Sequence, residues 1–212
     1  MEKTALSMAL CAVVALGFPD GAAASESSPW LVRAGASVVD PQHDNGTLDL
    51  GRAVEALPST NISVDNSTSF TFTVSYFFNE NVAVELLAAY PFDHDFTLTN
   101  VNVDGHVDHL PPTLSLQWHF PFGDRWKPYV GAGVNWTMFS NAHVDAPVNV
   151  SLDDSVGLAL QTGIDIALTE KWLLNFDVRY IHITSDAEVN GVNVGTVDIN
   201  PMVYGVNVGY RF

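Results

Sequence analysis

Eight side chains scattered along the sequence carry the chemistry that a polar protein interior would need. Arg33, Glu85, Gln117, Asp165, Asn175, Asp177, Arg179 and Arg211 all fall on one parity of a period-two pattern, so in strands they turn to the same side. Arginines and carboxylates mixed on an inward face can pair across a narrow space, which offsets the cost of withdrawing them from water. Two uses stay open for such a set. It is either a static polar core that holds a closed sheet together or a selectivity or gating element in its lumen.

The seven histidines are the other candidates. His106 and His109, flanked by Asp104 and Asp108, offer donors for a weak Zn²⁺ or Cu²⁺ cluster. Three-residue spacing suits a helical turn, and this segment has no strong helix signal, so solvated loop residues are the plainer reading. Motifs for a nucleophile elbow, a zinc-protease helix or a phosphate loop do not occur. Ser185, at a strand tip, has no recognisable dyad. No catalytic residue, metal or cofactor is therefore assigned. The single cysteine, Cys11, lies in the N-terminal apolar segment, which leaves the mature chain without a thiol.

Strands must position these residues. In the last nine, Tyr204, Val206, Val208, Tyr210 and Phe212 alternate with Gly205, Asn207, Gly209 and Arg211. One face is bulky and apolar, and the other is small and polar. The same alternation gives eight strands, roughly Trp30–Val39, Ser69–Phe78, Val82–Tyr90, Thr113–Phe120, Pro128–Phe139, Val156–Ala167, Trp172–Ile183 and Ile199–Phe212. Each is close to the ~9–11 residues that a tilted strand needs to cross a bilayer. Short turns at 79–81, 121–127 and 168–171 alternate with long polar segments beginning at Asp40, Pro91, Ser140 and Thr184. The expected fold is an all-β, eight-stranded antiparallel transmembrane barrel with short periplasmic turns and long extracellular loops.

Two parity checks favour a barrel over a soluble β-sandwich. Gly35, Gly131, Gly133, Gly157, Gly163, Gly205 and Gly209 share the inward face, where missing side chains leave room in a narrow lumen. Trp30, Trp118, Trp126 and Trp172 fall at the periplasmic strand ends, as an interfacial girdle requires.

Residues 1–24 read as a signal peptide, with Lys3 in the n-region, an apolar run over 5–18 and small residues at 22–24. Residues 25–212 make one domain, exported to the outer membrane of a Gram-negative bacterium. The net charge of −16 argues against nucleic acid as a partner. Its acids are scattered rather than spaced as cation ligands, so solubility of exposed loops is the preferred reading. The terminal strand, closing on Phe212, resembles the signal read by barrel-assembly machinery. Outer-membrane lipid and lipopolysaccharide are the other expected partners.

Several runs resemble the OmpW family of outer-membrane proteins. They include Val84-Glu85-Leu86-Leu87-Ala88-Ala89-Tyr90-Pro91-Phe92-Asp93-His94 and His109-Leu110-Pro111-Pro112-Thr113-Leu114-Ser115-Leu116-Gln117-Trp118. Others are Pro128 to Thr137, Trp172-Leu173-Leu174-Asn175, Asn200-Pro201 and Gly209-Tyr210-Arg211-Phe212. The resemblance implies an eight-stranded barrel that passes small hydrophobic solutes, blocked midway and releasing its cargo sideways into the bilayer. It implies that Leu87 forms the constriction and that His94 holds the second loop against the barrel. Arg179 stands where some members carry tryptophan, so a salt-bridged constriction replaces an apolar plug.

Leu48, Leu50, Val54, Leu57, Val101, Val103 and Leu110 are apolar residues within the long loops. They either line a funnel above Leu87 or pack the loops on one another. Pro111 and Pro112 cannot donate ladder hydrogen bonds and would leave a gap in the rim. The expected function is passive uptake of small hydrophobic molecules, with a structural or adhesive barrel as the alternative and an enzyme last.

Overall fold

The computed structural model describes residues 28–212, apart from residues 56, 121 and 124. The signal peptide read over residues 1–24 lies outside the described residues. Eight antiparallel strands close into a barrel: β1 (Trp30–Asp40), β4 (Ser67–Phe77), β5 (Val82–Ala89), β8 (Thr113–His119), β9 (Trp126–Val144), β11 (Ser155–Ala167), β12 (Trp172–Ile181) and β15 (Met202–Arg211). Closure is made by the last strand against the first, from Leu31 opposite Arg211 to Asp40 opposite Met202. A sandwich would leave these edges open, whereas here each backbone ladder is satisfied by a neighbour, as a hydrocarbon setting demands.

The alternation seen in the sequence becomes the two faces of the wall. Val206 and Val208 in β15, Leu114 and Leu116 in β8, and Leu158 and Leu160 in β11 are exposed on the outside. Trp30, Trp118, Trp126 and Trp172 are also exposed, at the ends of strands joined by short turns. Edge-to-face contacts link Trp30 to Tyr76 and Trp172 to Tyr210, each at 5.0 Å. The glycines do turn inward, and larger neighbours occupy the space above them. The Tyr129 ring lies over Gly163, the Asp177 carboxylate over Gly205 and the Gln161 side chain over Gly131.

The long loops differ from the expectation. They form further strands: β2 (Thr47–Asp49), β3 (Ser59–Val64), β6 (Phe92–Leu98), β7 (Val103–Leu110), β10 (Val150–Leu152), β13 (Thr184–Val189) and β14 (Val192–Asp198). Strands β6 and β7 pair with each other, β7 continues along the outer part of β9, and β3 adds to β6. Strands β10, β13 and β14 form a separate three-stranded sheet. The β13–β14 turn is Asn190-Gly191, with φ of 54° and 77° and Val189 opposite Val192. Such a pair of left-handed residues matches the twist of a two-residue hairpin. Together these hairpins bury Leu48, Leu50, Phe96, Val144, Val194 and Val197 in an apolar cap above the barrel mouth.

Candidate functional site

At mid-barrel a charged layer crosses the lumen. Glu85 on β5 is its centre, because its two oxygens hold different arginines. Oε2 accepts from Arg33 Nη1 at 2.8 Å, and Oε1 accepts from Arg179 Nη2 at 3.2 Å. Arg33 also forks onto Asp165, with Nε to Oδ1 at 3.0 Å and Nη2 to Oδ2 at 2.6 Å, while Arg179 Nε donates to Asp177 at 2.7 Å. Asn175 donates to Asp165 at 2.9 Å, and Asn207 donates to both Asn175 and Asp177 at 2.9 Å. All of these side chains are buried. Two-point geometry and saturated oxygens are what make buried charges tolerable. The result is a layer of paired, buried side chains across the lumen.

One residue expected in that layer, Arg211, departs from it. Arg211 lies opposite Leu31, one pleat below the level at which Arg33 faces Gly209, and so falls short of the carboxylates. Its guanidinium sits over the Phe77 ring instead, 4.4 Å from the centroid. Gln117 is buried against Glu85 in the layer, and its Oε1 is joined to His119 Nε2 at 3.0 Å.

Apolar space lies on the loop side of the charged layer. A cavity of about 10 Å³ is lined by Leu87, Arg179, Phe92, His109, Pro111 and Val203, among others. A second, of about 40 Å³, sits within the cap among Leu48, Leu50, Phe96, Val107, His94 and His109. His109 borders both, so the two spaces are separated by little more than its ring and that of Phe92, stacked at 5.3 Å.

Of the loop residues expected to line a funnel, Leu48 and Leu50 do so. Val54, Val101 and Val103 pack against the cap from outside. Leu57 does not line the path: it is 40% exposed. Leu110 does not line it either, because one step from His109 on a strand places it on the opposite face. Pro112 also lies off the cavity, with its carbonyl accepting from the Trp136 amide at 2.9 Å.

The paired donor set of His106 and His109 is not formed. Three residues apart on β7, they face opposite sides. His106 packs near His143 at 5.5 Å, and His109 is buried rather than solvated. His94 Nδ1 meets the Asp65 carbonyl at 2.6 Å, which ties β6 to the start of β4.

The wall is interrupted beside the smaller cavity. Pairing of β5 with β8 ends at Leu87 opposite Thr113, and pairing of β6 with β7 begins at Phe92 opposite His109. Between them, residues 88–91 face residues 110–112 with no ladder, four against three. On the other side, β9 runs past both segments in one register, with Asn135 opposite Thr113 and Met138 opposite Leu110. Pro111 and Pro112 sit at the interruption; the Pro112 carbonyl turns to Trp136 of β9, so the missing N–H on the side of the gap is that of Pro111. Parity could have located Phe92, His94 and His109 as inward residues from sequence, since Phe92, His94, Phe96 and Leu98 alternate with Asp93, Asp95 and Thr97.

The cap histidines have a pH consequence. Burial holds His94 below the ordinary histidine value, against the opposing pull of the Asp65 carbonyl and of Asp93, Asp65 and Asp95. Burial, reinforced by His94, pushes His109 down to about 3. Both are neutral in the closed cap, whereas an opened cap would take protons near the ordinary value. The cap is therefore at full strength above that ordinary value and weakens progressively as pH falls towards 3. At about pH 5 the loss from His109 alone comes to roughly 2 kcal/mol. Hydrogen exchange of β6 and β7 amides, corrected for intrinsic rates, is expected to speed up across that window. His109→Leu should flatten the response.

The sequence model of the OmpW family matches residues 26–212. Outer membrane protein W of Escherichia coli is 37% identical over 221 residues, covering 98% of this chain and 99% of the relative. The crystal structure of the outer membrane protein OprG from Pseudomonas aeruginosa superposes with a TM-score of 0.74 at 31% identity, covering 89% of this chain and 98% of that one. A more distant relative is the dibenzothiophene metabolism operon protein PahQ of Pseudomonas aeruginosa, 23% identical and covering 89% of this chain and 90% of its own.

Proposed function

The chain belongs to the OmpW family of outer-membrane barrels, and from that premise we propose that it admits small hydrophobic molecules through its cap and releases them sideways into the bilayer. Such barrels are transport or structural proteins, with no catalytic family indicated. The observation that carries the reading is an apolar route with a charged floor. Both cavities are lined mainly by apolar side chains, the charged layer lies beneath them, and the unpaired stretch of wall opens beside the lower one. Each CH₂ favours apolar surroundings by ~0.8 kcal/mol, so the bilayer core is a better exit than a buried ion-pair network or the periplasm. The relative PahQ is named for dibenzothiophene metabolism, and an apolar compound of that class suits this route as cargo.

In this conformation the cavities are small, about 10 and 40 Å³, so passage of a solute requires the cap hairpins to part. Lipid and lipopolysaccharide would contact the apolar belt, and assembly machinery would read the strand ending at Phe212. The filled lumen favours a second reading, a structural or adhesive barrel whose outer hairpins make the contacts.

Uptake of an apolar probe separates the two. Cells carrying the protein should accumulate it faster than cells lacking it. Replacing Pro111 and Pro112 with alanine restores one donor at the break, that of residue 111, and should slow uptake several-fold. Leu87→Trp should do the same by filling the lower cavity. Unchanged uptake in both variants, at equal surface abundance, would remove the lateral route and leave the structural reading in front.

A further inference from the structure

The cap cavity is apolar except at one place. His94 and His109 stack there with centroids 4.9 Å apart, and both border the cavity while being 2% exposed. His94 Nδ1 faces a backbone carbonyl, which can only accept, so Nδ1 carries the proton and Nε2 presents a lone pair. That Nε2 is buried with no hydrogen-bond partner, and so is His109 Nδ1. Buried polar atoms are nearly always satisfied, and leaving an acceptor unmet in an apolar space is costly. What the pair lacks is a group that donates to His94 and meets a second nitrogen close by. A hydroxyl does both, because one oxygen donates a hydrogen bond and accepts another. A bare hydrocarbon does neither, and a ketone cannot donate.

We infer that the cap cavity is a subsite for the hydroxyl of an otherwise apolar molecule, an alcohol or a phenol, with His94 Nε2 accepting its proton and His109 Nδ1 alongside. This rests on the reading of the barrel as a conduit for hydrophobic solutes and narrows its cargo to those bearing one hydroxyl. His109 borders both the cap space and the cavity at Leu87, so a solute held at the pair is poised at the constriction. The surrounding Leu48, Leu50, Phe96, Val107 and Val197 take the apolar body once the hairpins part.

The test uses the whole barrel in lipid nanodiscs, ¹⁵N-labelled at histidine, with 2-naphthol and naphthalene as a matched pair of probes. In the unaltered protein, 2-naphthol should move the His94 Nε2 resonance in the direction of a hydrogen-bonded acceptor, and naphthalene should not. His94→Phe, which keeps ring volume, should loosen 2-naphthol about fivefold more than it loosens naphthalene, the factor expected for one net hydrogen bond. A resonance that stays still with both probes, or moves equally with both, overturns the subsite. So does a bound water that keeps its contact with His94 while 2-naphthol is present. Uptake of naphthalene by cells with and without the protein is measured separately. Failure there counts against the conduit, whereas failure in nanodiscs counts against the hydroxyl subsite alone.

Discussion

Replacing Arg33 with methionine is expected to cost about 3–5 kcal/mol of barrel stability, the range for removing one partner from a buried ionic group. The charged layer holds two arginines against three carboxylates, Glu85, Asp165 and Asp177. Without Arg33, Asp165 loses both of its guanidinium bonds and Glu85 keeps Arg179 and the Ser75 hydroxyl. A second change, Asp165→Asn, removes the orphaned charge and should recover much of the loss. Urea unfolding of the refolded barrel in vesicles, run as a double-mutant cycle, measures both quantities. Equal stability of Arg33→Met and the unaltered protein would mean that the layer is hydrated in the bilayer.

Val206→Arg should cost ~2–4 kcal/mol, because a lipid-facing charge near mid-strand has no neighbour to pair with. Val206 is 52% exposed on the outer face and lies between Ala36 and Phe176. Val206→Leu should be nearly neutral. Asn207, one residue on, points into a lumen that has no room: it is buried and bonded to Asn175 and Asp177. Asn207→Arg is therefore expected to overpack the interior, by about 1–3 kcal/mol, rather than to repel lipid. The folded fraction by gel shift checks all three. Normal assembly of Val206→Arg would show that this face is not in the hydrocarbon.

The barrel was legible because each wall strand faces two unlike solvents, and that contrast is written at period two in residues such as Val206, Asn207 and Val208. The cap was harder to read. Its strands carry Asp, Asn and Thr on the watered face and only three or four apolar residues on the other, so composition alone resembles loop. Asn190-Gly191 between Val189 and Val192 was nonetheless a strong hairpin signal. The charged residues could be assigned to a face from parity, but not to partners. Which carboxylate meets Arg33 depends on barrel closure, which brings β1 and β11 across the lumen from each other. The height of a residue within the wall is set the same way, and it is height that separates Arg211 from the ion pairs. Leu57 and Leu110 were read as funnel because they are apolar. The direction of each side chain depends on hairpin register, which their type does not encode.

Asn45 joins the two ends of the outer sheets. Its amide donates to the Asp198 carbonyl at 2.8 Å, its side-chain oxygen accepts from the Val64 amide at 3.2 Å, and it is 1% exposed. The first contact spans 153 residues, so the cap is a late event in the life of the chain. The first and last outer segments must both have reached the outer side before they can meet. A chain truncated before β13 would lack Val194 and Val197 of the cap together with β15, the strand that closes the barrel on β1. Cap closure therefore reports completed insertion, and a conformation-specific antibody to the Asn45–Asp198 junction would distinguish finished molecules from stalled ones at the cell surface.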